Sequence, residues 1–543
     1  MTFNTLTFIG FFVAVLVLYY LVPKRFQWVF LLMSSYFFYL YAGPKFVIFM
    51  LITTVTSWYG ALMIDKNHVR ESEVLKENKE IFTKEIKKDF KAREKQKRKR
   101  ILITILVVNF GILFFLKYLN FFTENLNHII SPLTDGGQIP RLNLILPLGI
   151  SFYTFQTMSY VIDVYWKKVR AEKNIAKVAL FVSFFPQILQ GPIGRFGDLA
   201  PQLYQERKAD AQQIKYGIQL MIWGYFKKLV IADRVAIAAN HMFGDGGYDQ
   251  MSGSVVALCV FLYAIQDYTD FSGCIDIARG AAQCMGINMA ENFKRPYFSR
   301  TLPEFWRRWH MTLGAWMKDY VFYPFSLSGR VRNMSKWIKE HSKEPKEGRI
   351  GLGKHLGGTL PIALGNILVF FLVGVWHGSA WNYIIWGLYY GVLIAISGLL
   401  KPVFEGMNRA LHINVKSKPW QLWQIIRTFW FTCVACIIFR ADTMTDAWNI
   451  FAKSMHFWQL PQNYVQEYLS MGLVVADAFV IPASILILFV ADVMQEHMFV
   501  RGWLERRSFI LRYAIYFIGF LFIVGLGIYG PGFDQSQFVY MGF

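Results

Sequence analysis

Long apolar runs alternate with short charged stretches from Phe8 to Ile528. A helix that crosses a membrane needs about 17–25 mainly apolar residues. By that measure spans are predicted near residues 6–22, 26–41, 46–64, 101–119, 142–164, 214–242, 255–278, 356–376, 380–399, 425–439, 475–493 and 510–528. The expectation is an all-α polytopic membrane protein, with about 11–12 transmembrane helices plus re-entrant or amphipathic pieces, in one membrane domain over residues 1–543.

Two stretches break the pattern. Residues 181–193 are apolar but short, and they hold Pro186, Gly191 and Pro192. Broken backbone of this kind is tolerated at depth only when buried in protein or lining a cavity. Residues 292–325 are too polar for a lipid-facing span. Trp306, Trp309, Leu313, Trp316 and Tyr320 follow helical spacing there, and Arg307, Arg308 and Lys318 supply a polar side. This predicts an amphipathic or re-entrant helix in a cytoplasmic region, 292–355, that carries His310. Lys227 and Lys228 interrupt the run 214–242, and they must either snorkel or face the interior.

Charge sets the orientation. Residues 65–100 carry 14 Lys/Arg and end in KAREKQKRKR. Such a loop belongs in the cytoplasm, and the basic loops WKKVRAEK and 328–355 fall on the same side in this scheme. The N-terminus then lies outside. The arm 65–100 reads most simply as solvated helix with alternating charge. The net charge of +21 follows the same loops. No basic module stands apart from the spans, so a nucleic-acid partner is not expected, whereas membrane lipid is.

The cysteines give no disulfide framework. Cys433 and Cys436 form C-x-x-C within the apolar run FWFTCVACIIF, where packing on one helix face is the simpler account. No histidine pair shows zinc-binding spacing, so no metal site is expected. GRIGLGKH, from residue 348, resembles a P-loop, but His355 replaces its Ser/Thr and no strand precedes it.

The chemistry points to two histidines in tryptophan-rich sequence. His377 lies in GVWHGSAW and His310 in EFWRRWH. An ionisable group at membrane depth is costly and marks a functional hypothesis. Neutral imidazole can take a proton from a hydroxyl near pH 7. Gly374 and Gly378 leave room beside His377 for a substrate or another backbone. The alternative for His377 is a core histidine bonded to a helix carbonyl, and for His310 a polar position on a surface helix. Arg307 and Arg308 suit acidic phosphates or lipid headgroups. Asp267, Asp270 and Asp276 sit together in DYTDFSGCIDIARG, where pairing with arginines is the simpler account.

Five pieces together give a resemblance to a known family. FFPQILQGPIGRF, DYTDFSGCIDIARG, RPYFSRTLPEFWRRWHMTLGAWMKDY, VGVWHGSAWNYIIWG and the ending GPGFDQSQFVYMGF are similar to the membrane-bound O-acyltransferase superfamily. The likeness is strongest to its bacterial alginate-acetylation branch. The resemblance implies a ring of helices thinned at its centre. It implies transfer of an acyl group from a cytoplasmic thioester to a hydroxyl on the other side. Carried over, His377 matches the family's deeply placed histidine and His310 its second one. Trp306, Trp309, Trp376, Arg307 and Arg308 become candidate donor-binding residues, and Asp270, Tyr297 and Asp319 supporting ones. The implied donor substrate is acetyl-CoA, with no tightly bound cofactor. The implied partners are an exported polysaccharide and a separate extracytoplasmic SGNH-type acetyltransferase. D-alanyl transfer from a carrier protein is the alternative within the family. A polysaccharide transporter is the alternative outside it, but no internal repeat supports that reading.

Overall fold

A computed structural model describes residues 2–133, 138–244, 246–342 and 352–529. Among them the regular structure is entirely helical. Eight helices among the described residues are long and apolar enough to cross a membrane: Pro44–Glu77, Lys84–Leu133, Gly253–Cys284, His355–His377, Trp381–Leu399, Lys418–Arg440, Asp477–His497 and Phe509–Leu526. The larger expected number also counted shorter pieces. Leu6–Leu21, Gln27–Ala42 and Ile150–Tyr165 are 16 residues each. That length rises about 24 Å, less than the ~30 Å of a typical hydrocarbon core. The ending quoted above and the first half of the P-loop-like stretch lie outside the described residues.

The chain divides into two compact units, Met1–Met221 with Ile275–Ala290, and Ile222–Cys274 with Glu291–Phe543. In the first, the charged stretch 65–100 is drawn into two helices, Val47–Glu77 and Lys84–Ile130. Most of its charges are exposed, as expected, but Glu71, Glu94 and Arg98 are buried. Arg98 pairs with Glu71 and donates to Asn67 at 2.7 Å. The same unit holds the expected broken element. The helix Ile175–Ser183 stops, a single turn Phe185–Ile188 follows, and the segment is buried. Side chains replace the missing ladder. Ser35 Oγ accepts from the Phe185 amide at 3.1 Å, and Gln187 Nε2 donates to the Pro192 carbonyl at 2.9 Å. Interior backbone far from water requires such partners.

In the second unit, Lys227 and Lys228 lie in a π-helical turn, Phe226–Ala232, between the helices Ala211–Tyr225 and Asp233–Phe243. Both face the interior and neither snorkels. Lys228 is 2% exposed and is held by Asp270 and, at 2.7 Å, by Asp233. Lys227 donates to Ser272 Oγ at 2.9 Å.

A helical hairpin, Leu352–His377 and Trp381–Leu399, carries the histidine at its turn. Small residues let these helices approach closely. A Cβ on Gly374 would lie 2.3 Å from the Tyr383 carbonyl oxygen, and one on Gly387 would lie 2.3 Å from that of Phe370. Both obstacles are backbone, so they cannot swing aside. Gly387→Ala is therefore expected to cost about 1–3 kcal/mol and to lower the thermal midpoint of the detergent-solubilised protein. An unchanged midpoint would show that the two helices are not interlocked as described.

Candidate active site

The stretch around His310 is not the single helix that its apolar spacing predicts. Thr301 caps a short helix, Leu302–Arg308, by accepting from the Glu304 amide at 3.2 Å. Trp309 is then extended, and His310 adopts left-handed backbone at φ 42°. A second helix, Met311–Met317, starts at once. A left-handed conformation costs a residue with a Cβ roughly 1–2 kcal/mol, so the surroundings must hold it in place.

Asn292 does so. Its backbone carbonyl accepts from the Met311 amide at 2.9 Å. Its side-chain Oδ1 accepts from the Thr312 amide at 3.0 Å and from the Thr312 hydroxyl at 2.9 Å. The first amides of the new helix, otherwise without intrahelical partners, are thereby satisfied. The same oxygen stands 3.2 Å from His310 Nδ1. An oxygen that accepts from a backbone amide is an acceptor toward the ring as well, so Nδ1 carries the proton. Nε2 then presents its lone pair, and it has no hydrogen-bond partner among the described residues. His310 is 1% exposed. Burial holds its imidazole well below its usual pKa, in the neutral form. A neutral ring with an oriented, open Nε2 is suited to accept a proton.

His377 closes the helix Leu352–His377 and is 3% exposed. Its ring meets Trp386 at 4.9 Å between centroids and Phe439 at 5.3 Å, both edge-on. Gly374 and Gly378 make room for the Tyr383 backbone and ring respectively, so the space expected beside His377 is taken by protein. Trp376 joins the two histidines. Its ring centroid lies 4.9 Å from that of His377 and 5.8 Å from that of His310.

The other tryptophans extend this cluster. Trp306 lies 5.7 Å from Trp386, and Trp309 lies 5.0 Å from Phe293. Tyr297 stands 6.3 Å from Trp309, with its hydroxyl donating to the Ala264 carbonyl. Arg308 is engaged elsewhere, with Glu304 at 3.0 Å and Glu496 at 2.8 Å. Arg307 is exposed. Asp319 is half-buried in the π-helical turn Lys318–Phe322. Asp270 pairs with Lys228 rather than with an arginine, because the π-helical turn brings a buried lysine to it. Asp276 does pair with Arg279, at 3.4 Å. No cluster of metal-ligating side chains occurs among the described residues.

Comparison with known proteins identifies the family. Residues 167–335, which include His310, match the model of the membrane-bound O-acyltransferase family. The chain is 31% identical over 467 residues to the probable alginate O-acetylase of Pseudomonas aeruginosa, covering 85% of this chain and 76% of that protein. It is 30% identical over 379 residues to the peptidoglycan O-acetyltransferase of Helicobacter pylori, covering 64% and 63%. It is 29% identical over 311 residues to the teichoic acid D-alanyltransferase of Bacillus subtilis, covering 55% and 70%. The chain belongs to the membrane-bound O-acyltransferase family. It is a multi-pass membrane enzyme that transfers acyl groups.

Sequence reasoning missed Asn292, at the start of the stretch that carries His310, and Phe439, which reaches His377 from another helix. Asn292→Ala removes the acceptor shared by His310 and Thr312. Stranded buried donors cost about 1–3 kcal/mol each, so lower thermal stability and a severe loss of acyl transfer are expected together. Full activity in this variant would show that the His310 tautomer does not depend on Asn292.

Proposed function

We propose that this protein is a membrane O-acetyltransferase that takes acetyl groups from cytoplasmic acetyl-CoA and passes them outward for O-acetylation of an exported polysaccharide. The observation that carries the proposal is the pair of buried histidines in ring contact with one tryptophan, Trp376. The similarity to a probable alginate O-acetylase and to a peptidoglycan O-acetyltransferase supports the acetyl group and the polymer class. A thioester is already activated, so the transfer needs no ATP or metal. The acceptor oxygen attacks the thioester carbonyl while its proton passes to the His377 imidazole. The C–S bond then breaks and the proton returns to sulfur as the thiol leaves. His310 supports the same transfer through its open Nε2. The tryptophans Trp306, Trp309 and Trp376 form walls for the pantetheine arm. Arg307, exposed and outside the Glu496 network, meets the phosphates of the donor more readily than Arg308.

In this reading the protein lies in a bacterial inner membrane with its N-terminus outside. Final transfer to the polymer falls to an extracytoplasmic SGNH-type acetyltransferase. Exposed aromatic side chains at Trp448, Phe457, Trp458 and Tyr464 suit its docking. Similarity to teichoic acid D-alanyltransferases keeps carrier-bound D-alanine as the competing donor.

Reconstitution in vesicles tests the chemistry. His377→Ala is expected to lower acetyl transfer from acetyl-CoA by about 10²–10⁴-fold while the protein still inserts. A drop below about threefold would remove His377 from proton transfer, whose usual contribution is far larger. Turnover of a D-alanyl carrier protein, with none of acetyl-CoA, would overturn the choice of donor.

The orientation has its own test. Single cysteines placed in 65–100 and 328–342, in a cysteine-free background, are expected to resist an impermeant reagent applied to intact cells. Their ready labelling from outside would reverse the topology and the donor side.

A further inference from the structure

The helix Gly329–Glu340 packs against the first turns of Leu352–His377, where Ser335 Oγ donates to the Gly357 carbonyl at 2.5 Å. A groove of about 470 Å³ opens beside these two helices and the short helix Tyr323–Ser326. Its wall is apolar, formed by Phe322, Tyr323, Leu327, Pro361 and Ile362, and its rim carries Arg332, Lys336 and Lys339. The wall is uncovered: Leu327 is 66% exposed and Ile362 is 51% exposed.

The polarity of the groove has a direction. The stem of Lys339 lies over Gly357, whereas Phe322 and Ser326 lie over Gly365. Eight residues of α-helix separate these points by about 12 Å. The groove therefore runs from a basic end to an apolar end along His355–His377, a helix long and apolar enough to cross a membrane. The charge is one-sided as well. Four of the 12 residues in Gly329–Glu340 are Lys or Arg and one is acidic. Arg332 and Lys339 have no carboxylate partner among the described residues, and Lys336 meets Glu340 only at 3.6 Å. Trp337, on the same helix, is exposed, as aromatic side chains at a membrane–water interface are.

A basic cluster on an amphipathic helix beside a membrane span attracts anionic headgroups. The apolar wall continues along the span, where lipid rather than water is the solvent, and this favours a lipid over a soluble protein partner. We infer that the groove holds an anionic phospholipid of the adjoining leaflet. Its phosphate meets Arg332, Lys336 and Lys339, and an acyl chain lies along Phe322, Leu327 and Ile362. This site is separate from acyl transfer and does not depend on which donor the enzyme uses.

The test uses the full-length protein in phosphatidylcholine vesicles with a trace of phosphatidylglycerol that bears a diazirine on an acyl chain. After irradiation, mass spectrometry of peptides locates the label. Labelling is expected in 322–327 and 358–362, with unlabelled phosphatidylglycerol competing about tenfold better than phosphatidylcholine. Arg332→Gln and Lys339→Gln should each weaken that competition about fivefold. Arg330→Gln removes an exposed charge of the same helix that does not line the groove, and should change it less than about twofold. A Cβ on Gly358 meets nothing within 4 Å, so Gly358→Leu fills the groove without displacing protein. It should suppress the labelling while the thermal midpoint in detergent holds.

Equal competition by phosphatidylcholine would reduce the site to ordinary annular lipid and overturn the inference. So would an equal loss in Arg330→Gln, which would mark diffuse surface charge, or unchanged labelling in Gly358→Leu. Displacement of the probe by inorganic phosphate as effectively as by phosphatidylglycerol would mark a free-anion site instead. Loss of labelling only in variants whose midpoint also falls would be a folding defect and would sink the assignment. Protection of these segments by a carrier protein, with no lipid labelling, would make the groove a protein-docking surface and overturn it too.

Discussion

A helix interrupted inside an apolar interior must find its missing hydrogen bonds within the protein. That constraint governs the second unit. The chain from Leu302 to Met317 turns at His310 instead of running straight. The turn exposes amides that no helix ladder serves, and Asn292 serves them with its backbone carbonyl and its side chain. The oxygen that caps Thr312 also stands at His310 Nδ1. Capping the helix and choosing the histidine's tautomer are therefore one interaction. The left-handed strain at His310 is tolerated because the neighbouring contacts over-determine it.

The aromatic cluster adds the second condition. Phe271 stands edge-on to His310 at 4.9 Å, and Trp386 and Phe439 stand edge-on to His377. Rings packed in this way keep water out and fix the imidazoles without competing for their nitrogens. Trp376, next to His377 in sequence and against His310 in space, ties the glycine-interlocked hairpin to the Asn292 turn. Displacing either support moves both histidines. That coupling explains why tryptophans rather than aliphatic residues flank them: a wide ring reaches two imidazoles that lie on separate elements.

The spans were legible because lipid demands long apolar helices, and the runs from Pro44 to Leu526 supply them. The broken element near Pro186 was legible for the same reason, since proline and glycine in a short apolar run cannot make a straight span. The turn at His310 was not. Trp309, Leu313 and Trp316 keep helical spacing on both sides of the break, and nothing in that spacing signals a left-handed residue. Its cause, Asn292, lies outside any local window. The aspartates of DYTDFSGCIDIARG were visible as a group, but their partners were not. Asp276 finds an arginine on its own helix, whereas Asp270 finds Lys228, distant in sequence and turned inward by π-helical backbone.

The distribution of satisfied and unsatisfied polar groups gives the last step. The buried Lys228 is matched by two carboxylates, Asp233 and Asp270, and at the surface Glu496 holds Arg295 and Arg308. Near the histidines, as at other buried positions, single polar atoms stay unmatched. His310 Nε2, the Asp267 carboxylate and the Trp306 indole lie buried without partners among the described residues. All three belong to one compact unit, and Asp267 and Trp306 line one cavity. Each such atom carries a desolvation cost that an ordered water or a bound group relieves.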